Sequence, residues 1–195
     1  MLRVFSPAVS VSITGTSTGI AITSPANAAY LNTPIITVSG TVGDPAAQVN
    51  INGSVATVSN KSFVISLPLN EGPNIITAVA ANSNGTTSTA NILVTLDTTP
   101  PHLAIYTPTN NGVTTDASAT ITGLVNDIVV GTVNPQQATV TVNGVAAQVL
   151  NRSFIANNVP LSMGSNTIRA VTADRAGNTA TTSVSVTRHP RIRPP

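Results

Sequence analysis

Val49-Asn-Ile-Asn-Gly53, continuing into Ser54-Val-Ala-Thr57, decides how this chain folds. Val49 and Ile51 alternate with polar neighbours, the two-residue period of a half-buried strand. Asn52-Gly53 then breaks the run. A two-residue hairpin turn needs positive φ at both central positions, and Asn-Gly meets that need at low cost. Val55 resumes the apolar side. The same pattern returns 91 residues later as Val140-Thr-Val-Asn-Gly144, followed by Val145.

Working outward from the two hairpins, the whole chain repeats. Ile22-Thr-Ser-Pro25 matches Ile105-Tyr-Thr-Pro108, and Thr37-Val-Ser-Gly40 matches Thr120-Ile-Thr-Gly123. Asn60-Lys-Ser-Phe63 matches Asn151-Arg-Ser-Phe154, and Pro68-Leu69 matches Pro160-Leu161. Gly72-Pro-Asn-Ile-Ile-Thr-Ala-Val79 matches Gly164-Ser-Asn-Thr-Ile-Arg-Ala-Val171. Gly85 matches Gly177, and Ile92-Leu-Val94 matches Val184-Ser-Val186. The offset is 83 residues at the start, 91 in the middle and 92 at the end, which places an insertion in copy two around 126–136. In copy one, strands are expected near 20–23, 35–42, 47–51, 54–58, 62–67, 74–82 and 87–95. No stretch holds the i, i+3, i+4, i+7 pattern of a helix. Short strands with closely spaced turns predict an all-β fold of two tandem immunoglobulin-like β-sandwiches. The expected domains are an N-terminal extension (1–19), sandwich one (20–96), a Pro-rich linker (97–102), sandwich two (103–187) and a basic, Pro-rich tail (188–195).

Composition agrees. Of 195 residues 41% are hydrophobic but only 3% aromatic, so the cores must be built from Ala, Val, Ile and Leu. Phe63 and Phe154, at equivalent positions, are each expected to anchor one core. Charged residues make up 7% of the chain. Four basic residues (Arg3, Arg188, Arg191, Arg193) lie near the two ends. The body keeps Lys61, Arg152, Arg169 and Arg175 against Asp44, Glu71, Asp97, Asp116, Asp127 and Asp174. Nucleic-acid binding needs clustered Lys and Arg on a folded face, and none is expected here. No apolar run approaches the roughly 20 residues of a membrane span. Met1-Leu-Arg-Val-Phe-Ser-Pro7 is too short and broken for a signal peptide, so an export signal is expected outside this stretch.

The segments Asp97-Thr-Thr-Pro-Pro101, Val142-Asn-Gly144, Gly164-Ser-Asn-Thr-Ile168 and Ala173-Asp-Arg-Ala-Gly-Asn178 carry a resemblance. The chain resembles the bacterial immunoglobulin-like repeats of large surface proteins and adhesins, especially the group related to the B domain of glucodextranase. The resemblance covers residues 20 to 187. Copy one departs from it at Ala81-Asn-Ser-Asn-Gly85. It implies an extracellular spacer, stalk or accessory domain, and no particular ligand.

Chemistry is sparse. The chain has no Cys and two His, His102 in the linker and His189 in the tail, so no catalytic residues are expected and the chain reads as no enzyme. No cofactor is expected either, with Ca2+ as the one candidate. Its candidate ligands are Asp97, Asp127 and Asp174, acids near domain ends and loops. No segment carries a dense D-x-D spacing, and solvated turn aspartates are the competing reading. Lys61, the only lysine, has Arg152 as its counterpart in the other copy, and both are read as exposed. The Asn52, Asn60, Asn84 and Asn151 N-x-S/T triplets are expected by chance in so Asn-, Ser- and Thr-rich a chain.

These features point to a non-enzymatic structural module pair of a larger, exported bacterial protein at the cell surface or outside it. Its expected partners are neighbouring domains of that longer chain. Two alternatives stay open. One is a carbohydrate- or adhesion-binding accessory module that uses the 126–136 insertion. The other is a self-assembling filament or surface-layer subunit that pairs through edge strands.

Overall fold

The computed structural model describes residues 19–127, 129 and 138–191. The extension read at 1–19 (all but its last residue), most of the 126–136 insertion and the end of the tail lie outside the described residues. Those described form eighteen strands and no helix. The first sandwich contains β1 (Ile20–Ser24), β2 (Ala29–Leu31), β3 (Ile35–Val42), β4 (Gln48–Ile51), β5 (Ser54–Val55), β6 (Thr57–Ser59), β7 (Ser62–Pro68), β8 (Gly72–Ala81) and β9 (Thr87–Leu96). They form one sheet in the order β1-β3-β7-β6 and another in the order β2-β9-β8-β4-β5.

The second sandwich repeats this with β10 (His102–Thr107), β11 (Gly112–Thr114), β12 (Ser118–Asn126), β13 (Ala138–Val142), β14 (Val145–Ala146), β15 (Gln148–Leu150), β16 (Ser153–Pro160), β17 (Gly164–Asp174) and β18 (Thr179–Arg188). Its sheets run β10-β12-β16-β15 and β11-β18-β17-β13-β14. β10 begins at His102, the last residue read as linker, and β18 takes in Arg188, the first residue read as tail.

Alternation builds both cores. On β3, Ile36, Val38 and Val42 point inward, and β4 adds Val49 and Ile51. Phe63 from β7 and Ile76, Ala78 and Ala80 from β8 complete that core. The second uses Ile121, Val125, Val140, Val142, Phe154, Ile168 and Ala170. Each phenylalanine is fully buried, as its position predicts.

The hairpins hold by a second contact. Asn52 and Asn143 both take φ 47°, and Gly53 and Gly144 follow at φ 85° and 82°. The Asn52 Oδ1 accepts the Thr77 N–H at 2.8 Å, and the Asn143 Oδ1 accepts that of Arg169 at 2.8 Å. The turn residue therefore also tethers its hairpin to the next strand.

The strand expected over 54–58 is two strands. β5 pairs with β4, as Asn50 with Val55, while β6 pairs with β7 in the other sheet. The chain changes sheets at buried Ala56, whose N–H donates to the Val49 carbonyl at 2.8 Å.

The turn between β6 and β7 places Asn60 and Lys61 at φ 49° and 62°, and its copy places Asn151 and Arg152 at 49° and 64°. The left-handed region costs an ordinary L-residue about 1–2 kcal/mol. Glycine avoids that cost but loses about 0.5–1 kcal/mol in unfolded-chain entropy. The Lys61 carbonyl, which accepts the Val42 N–H at 2.9 Å, survives the change. Lys61→Gly and Arg152→Gly should therefore each stabilise the protein by about 0.5 kcal/mol, seen as a higher denaturant midpoint at constant slope.

The described chain divides into two compact units. One comprises Asn27–Ile36, Leu67–Ile75 and Leu93–Pro195, so that it joins β2 and parts of β3, β7, β8 and β9 with Asp97, the segment after it and the second sandwich. The other holds the remainder of the first sandwich.

Candidate metal centre

Asp97 follows β9, Asp127 follows β12, and Asp174 ends β17. All three belong to the unit that contains the second sandwich. They are 0%, 2% and 8% exposed, and one carboxylate oxygen from each lies within 4.8 Å of the others. The fold thus brings together residues 30 and 47 positions apart in sequence.

Each carboxylate is oriented by a short turn. The Asp97 Oδ1 accepts the Thr99 N–H at 3.1 Å, and the Asp127 Oδ1 accepts that of Val129 at 2.9 Å. The Asp174 Oδ1 accepts the Asn178 N–H at 2.9 Å, and its Oδ2 accepts the Asn178 amide at 2.9 Å. That amide also donates to the Asp97 carbonyl at 2.7 Å, so Asn178 ties two of the three aspartates together. Asn178 was not singled out from sequence. Its signal was there, at the end of Ala173-Asp-Arg-Ala-Gly-Asn178.

The Asp97 backbone is held as firmly. Its N–H donates to the Leu31 carbonyl at 2.8 Å, and the Glu71 carboxylate accepts both the N–H and the hydroxyl of Thr98 at 2.9 and 3.0 Å. Burial pushes the Asp97 carboxyl up to about 6. The Thr99 N–H works against that rise, and the like charges of Asp127 and Asp174 add to it. Asp97 Oδ2 is buried and accepts no hydrogen bond. A set of carboxylate oxygens suits a hard cation and offers nothing to a soft one.

The other candidates lie apart. Asp116 pairs with Arg191 at 3.1 Å, an ion pair with both side chains largely in solvent and of small energetic worth. His102 opens β10 and His189 follows β18, both exposed. Lys61 and Arg152 are exposed at their turns, as read. Tyr30 receives the Arg175 guanidinium 4.1 Å from its ring centre, a cation–π contact. Tyr106 is 61% exposed beside a shallow recess of about 410 Å³ lined also by Thr122, Gln148 and Leu150. No helix among the described residues is long and apolar enough to cross a membrane.

Bacillopeptidase F of Bacillus subtilis (strain 168) is 34% identical over 167 residues, or 82% of this chain, and the chain spans 11% of that protein's length. The fibronectin(III)-like modules of Clostridium thermocellum CbhA superpose with a TM-score of 0.56 at 15% identity, over 87% of this chain and 93% of theirs, which supports the sandwich fold. Residues 18–98 and 101–189 each match one family, domain B of glucodextranase. Two consecutive sandwiches with the same sheet order, each matched end to end, make this chain a tandem member of the glucodextranase domain B family.

Proposed function

We propose that the chain is a non-enzymatic spacer within a larger exported protein and that its two sandwiches carry tension. The observation behind this reading is the pairing of strands near the two ends of each sandwich. β2 runs parallel to β9, with Ala29, Tyr30 and Leu31 opposite Val94, Thr95 and Leu96. β11 runs parallel to β18, with Gly112, Val113 and Thr114 opposite Val186, Thr187 and Arg188. Further bonds frame each ladder, from Ala28 N–H to Leu93 O at 2.7 Å and Asn111 N–H to Ser185 O at 2.8 Å. At the far ends, Asp97 N–H meets Leu31 O and His189 N–H meets Thr114 O, both at 2.8 Å. Pulling a sandwich by its ends draws two parallel strands past one another. The bonds of the ladder are then loaded together in shear, whereas an antiparallel hairpin pulled open loses them one at a time.

The small share of bacillopeptidase F that the chain matches supports a module of a longer protein. Export is proposed on the same relative and on the family to which the chain belongs. Sheet edges argue against the filament reading. β5 and β14 are two residues long, β6 and β15 three, and β1 and β10 carry register shifts. Short and bulged edges discourage pairing between chains.

Single-molecule stretching tests the proposal. Two unfolding events are expected, each releasing about 280 Å of extended chain. Thr114→Pro removes the β11 N–H that faces β18, on the residue whose carbonyl accepts the His189 N–H, while its side chain is only half-buried and outside the core. It should lower the unfolding force of one event to about half. An unchanged force would show that the parallel ladder does not carry the tension. A glycan-binding reading is favoured by Tyr106 and its recess. It predicts a glycan-array signal that Tyr106→Ala removes.

A further inference from the structure

We propose that Asp97, Asp127 and Asp174 bind one Ca2+ ion. Two oxygens on the same Ca2+, each at about 2.3–2.6 Å, stand at most about 5 Å apart, and the three ligand oxygens here lie within 4.8 Å of one another. The spacing therefore matches the ion.

A cluster of acids is not in itself a site. The second observation is Asp97, which gives one oxygen to the cluster and whose side chain is fully buried with an Oδ2 that accepts no hydrogen bond. A buried charged oxygen left without a partner is costly. The charges that act on Asp97 are two more carboxylates of the same sign. A divalent cation at their centre reverses that repulsion and completes the shell of Oδ2. Thr172 lies two residues before Asp174 on the inward face of β17, and it also buries a hydroxyl oxygen with no hydrogen-bond partner.

The internal repeat supplies a control within the same molecule. Asp44 occupies the position of Asp127, and Asn82 that of Asp174. The matching turn bonds show this, for the Asp44 Oδ1 accepts the Ala46 N–H at 2.9 Å as the Asp127 Oδ1 accepts that of Val129. In copy one the charge is dealt with by hydrogen bonds. The Ser83 hydroxyl and N–H donate to the Asp44 Oδ2 at 2.6 and 2.7 Å and hold its carboxyl below the ordinary range. Asn82 is neutral, and its amide donates to the Thr86 hydroxyl at 3.0 Å. In copy two the counterpart of Ser83 is Arg175, which turns onto the Tyr30 ring. The fold therefore does not demand a carboxylate cluster at this place. Copy two builds one where copy one builds a hydrogen-bonded turn.

Oxygen-only donors suit Ca2+, Mg2+ or Mn2+ better than Zn2+ or Cu2+, which are bound mostly through imidazole and thiolate. Mg2+ holds its ligands at about 2.0–2.1 Å in near-ideal octahedra and keeps much of its water. Three aspartates whose rotamers are set by their own turns suit the more tolerant Ca2+.

The test uses the full chain after treatment with EGTA. Calorimetric titration with Ca2+ should show one ion per chain. The melting temperature, followed by circular dichroism, should rise by about 10 °C at a hundredfold excess over Kd. Asp97→Asn and Asp174→Asn should each abolish that rise. In EGTA both should melt at or above the wild-type temperature, because a like charge has been removed from the cluster. An aspartate with a merely structural role would lower it. Asp44→Asn should keep the full Ca2+ response. The proposal is overturned if wild-type protein neither binds nor responds at millimolar Ca2+, if the response survives Asp97→Asn, or if Mg2+ matches Ca2+ at equal concentration.

Discussion

Gly123→Ala should destabilise the second sandwich by about 3 kcal/mol or more, at the upper end of what overpacking costs. Gly123 lies on β12 with its inward face against the core. A Cβ built there falls well under 3.0 Å from the Ala104 carbonyl oxygen of β10 and from the ring of Phe154. Phe154 is the direct cross-strand partner of Gly123, so the ring lies over the bare backbone. A side-chain end can rotate away from an added methyl. The Ala104 carbonyl cannot, because it is fixed in the β10–β12 ladder beside the register shift between Ile105 and Thr107. Gly40 is in the same position in the first sandwich, against the Ala21 carbonyl and the Phe63 ring, and Gly40→Ala should cost as much. Hydrogen exchange localises the effect. Amides of β12 and β16 should lose protection in Gly123→Ala, and unchanged protection would show that the strands can part to admit a methyl group.

Much of this was legible in the sequence because the chain states its pattern twice. Asn-Gly hairpins, the Gly40 and Gly123 blocks and the two phenylalanines recur in order, and periodic alternation placed β3, β4, β8 and their copies. What escaped were elements without period. β2 is three residues, Ala29-Tyr-Leu31, all half-buried, and such a run shows no alternation. Its existence depends on β9, some sixty residues away, which offers it a parallel edge. The split of 54–58 was hidden for a related reason, since the change of sheet at Ala56 falls in a short run with no Gly, Pro or Asn to mark it.

For the site, the residue types were readable and their meeting was not. Asp97, Asp127 and Asp174 stood out as acids near loops, but no short spacing linked them. Their convergence is set by three separate strand ends and by Asn178, which bonds both Asp174 and the Asp97 carbonyl. The repeat held a further clue. Aligning Asn82 with Asp174 shows a neutral side chain exchanged for a charged one at a buried position, a change that needs a compensating partner.

Phe154→Ala should cost about 3–5 kcal/mol, the range for removing a buried ring. With aromatics at 3% of the chain and no tryptophan, no second ring shares that core to close around the gap. Its neighbours are short aliphatics on fixed strands, which relax little. A domain stability of about 5–15 kcal/mol leaves a small margin after such a loss. The more informative measurement combines this change with Gly123→Ala. If the cost of Gly123→Ala came only from the ring, the methyl would be nearly free once the ring is gone. If it came only from the Ala104 carbonyl, the two costs would add. Both contacts are made, so the double variant should be less destabilised than the sum by about 1–3 kcal/mol, yet less stable than Phe154→Ala alone. Strict additivity would mean that the ring does not press on Gly123. That result would also remove the reason for keeping glycine opposite phenylalanine in both copies, and leave only the carbonyl of the neighbouring strand to explain it.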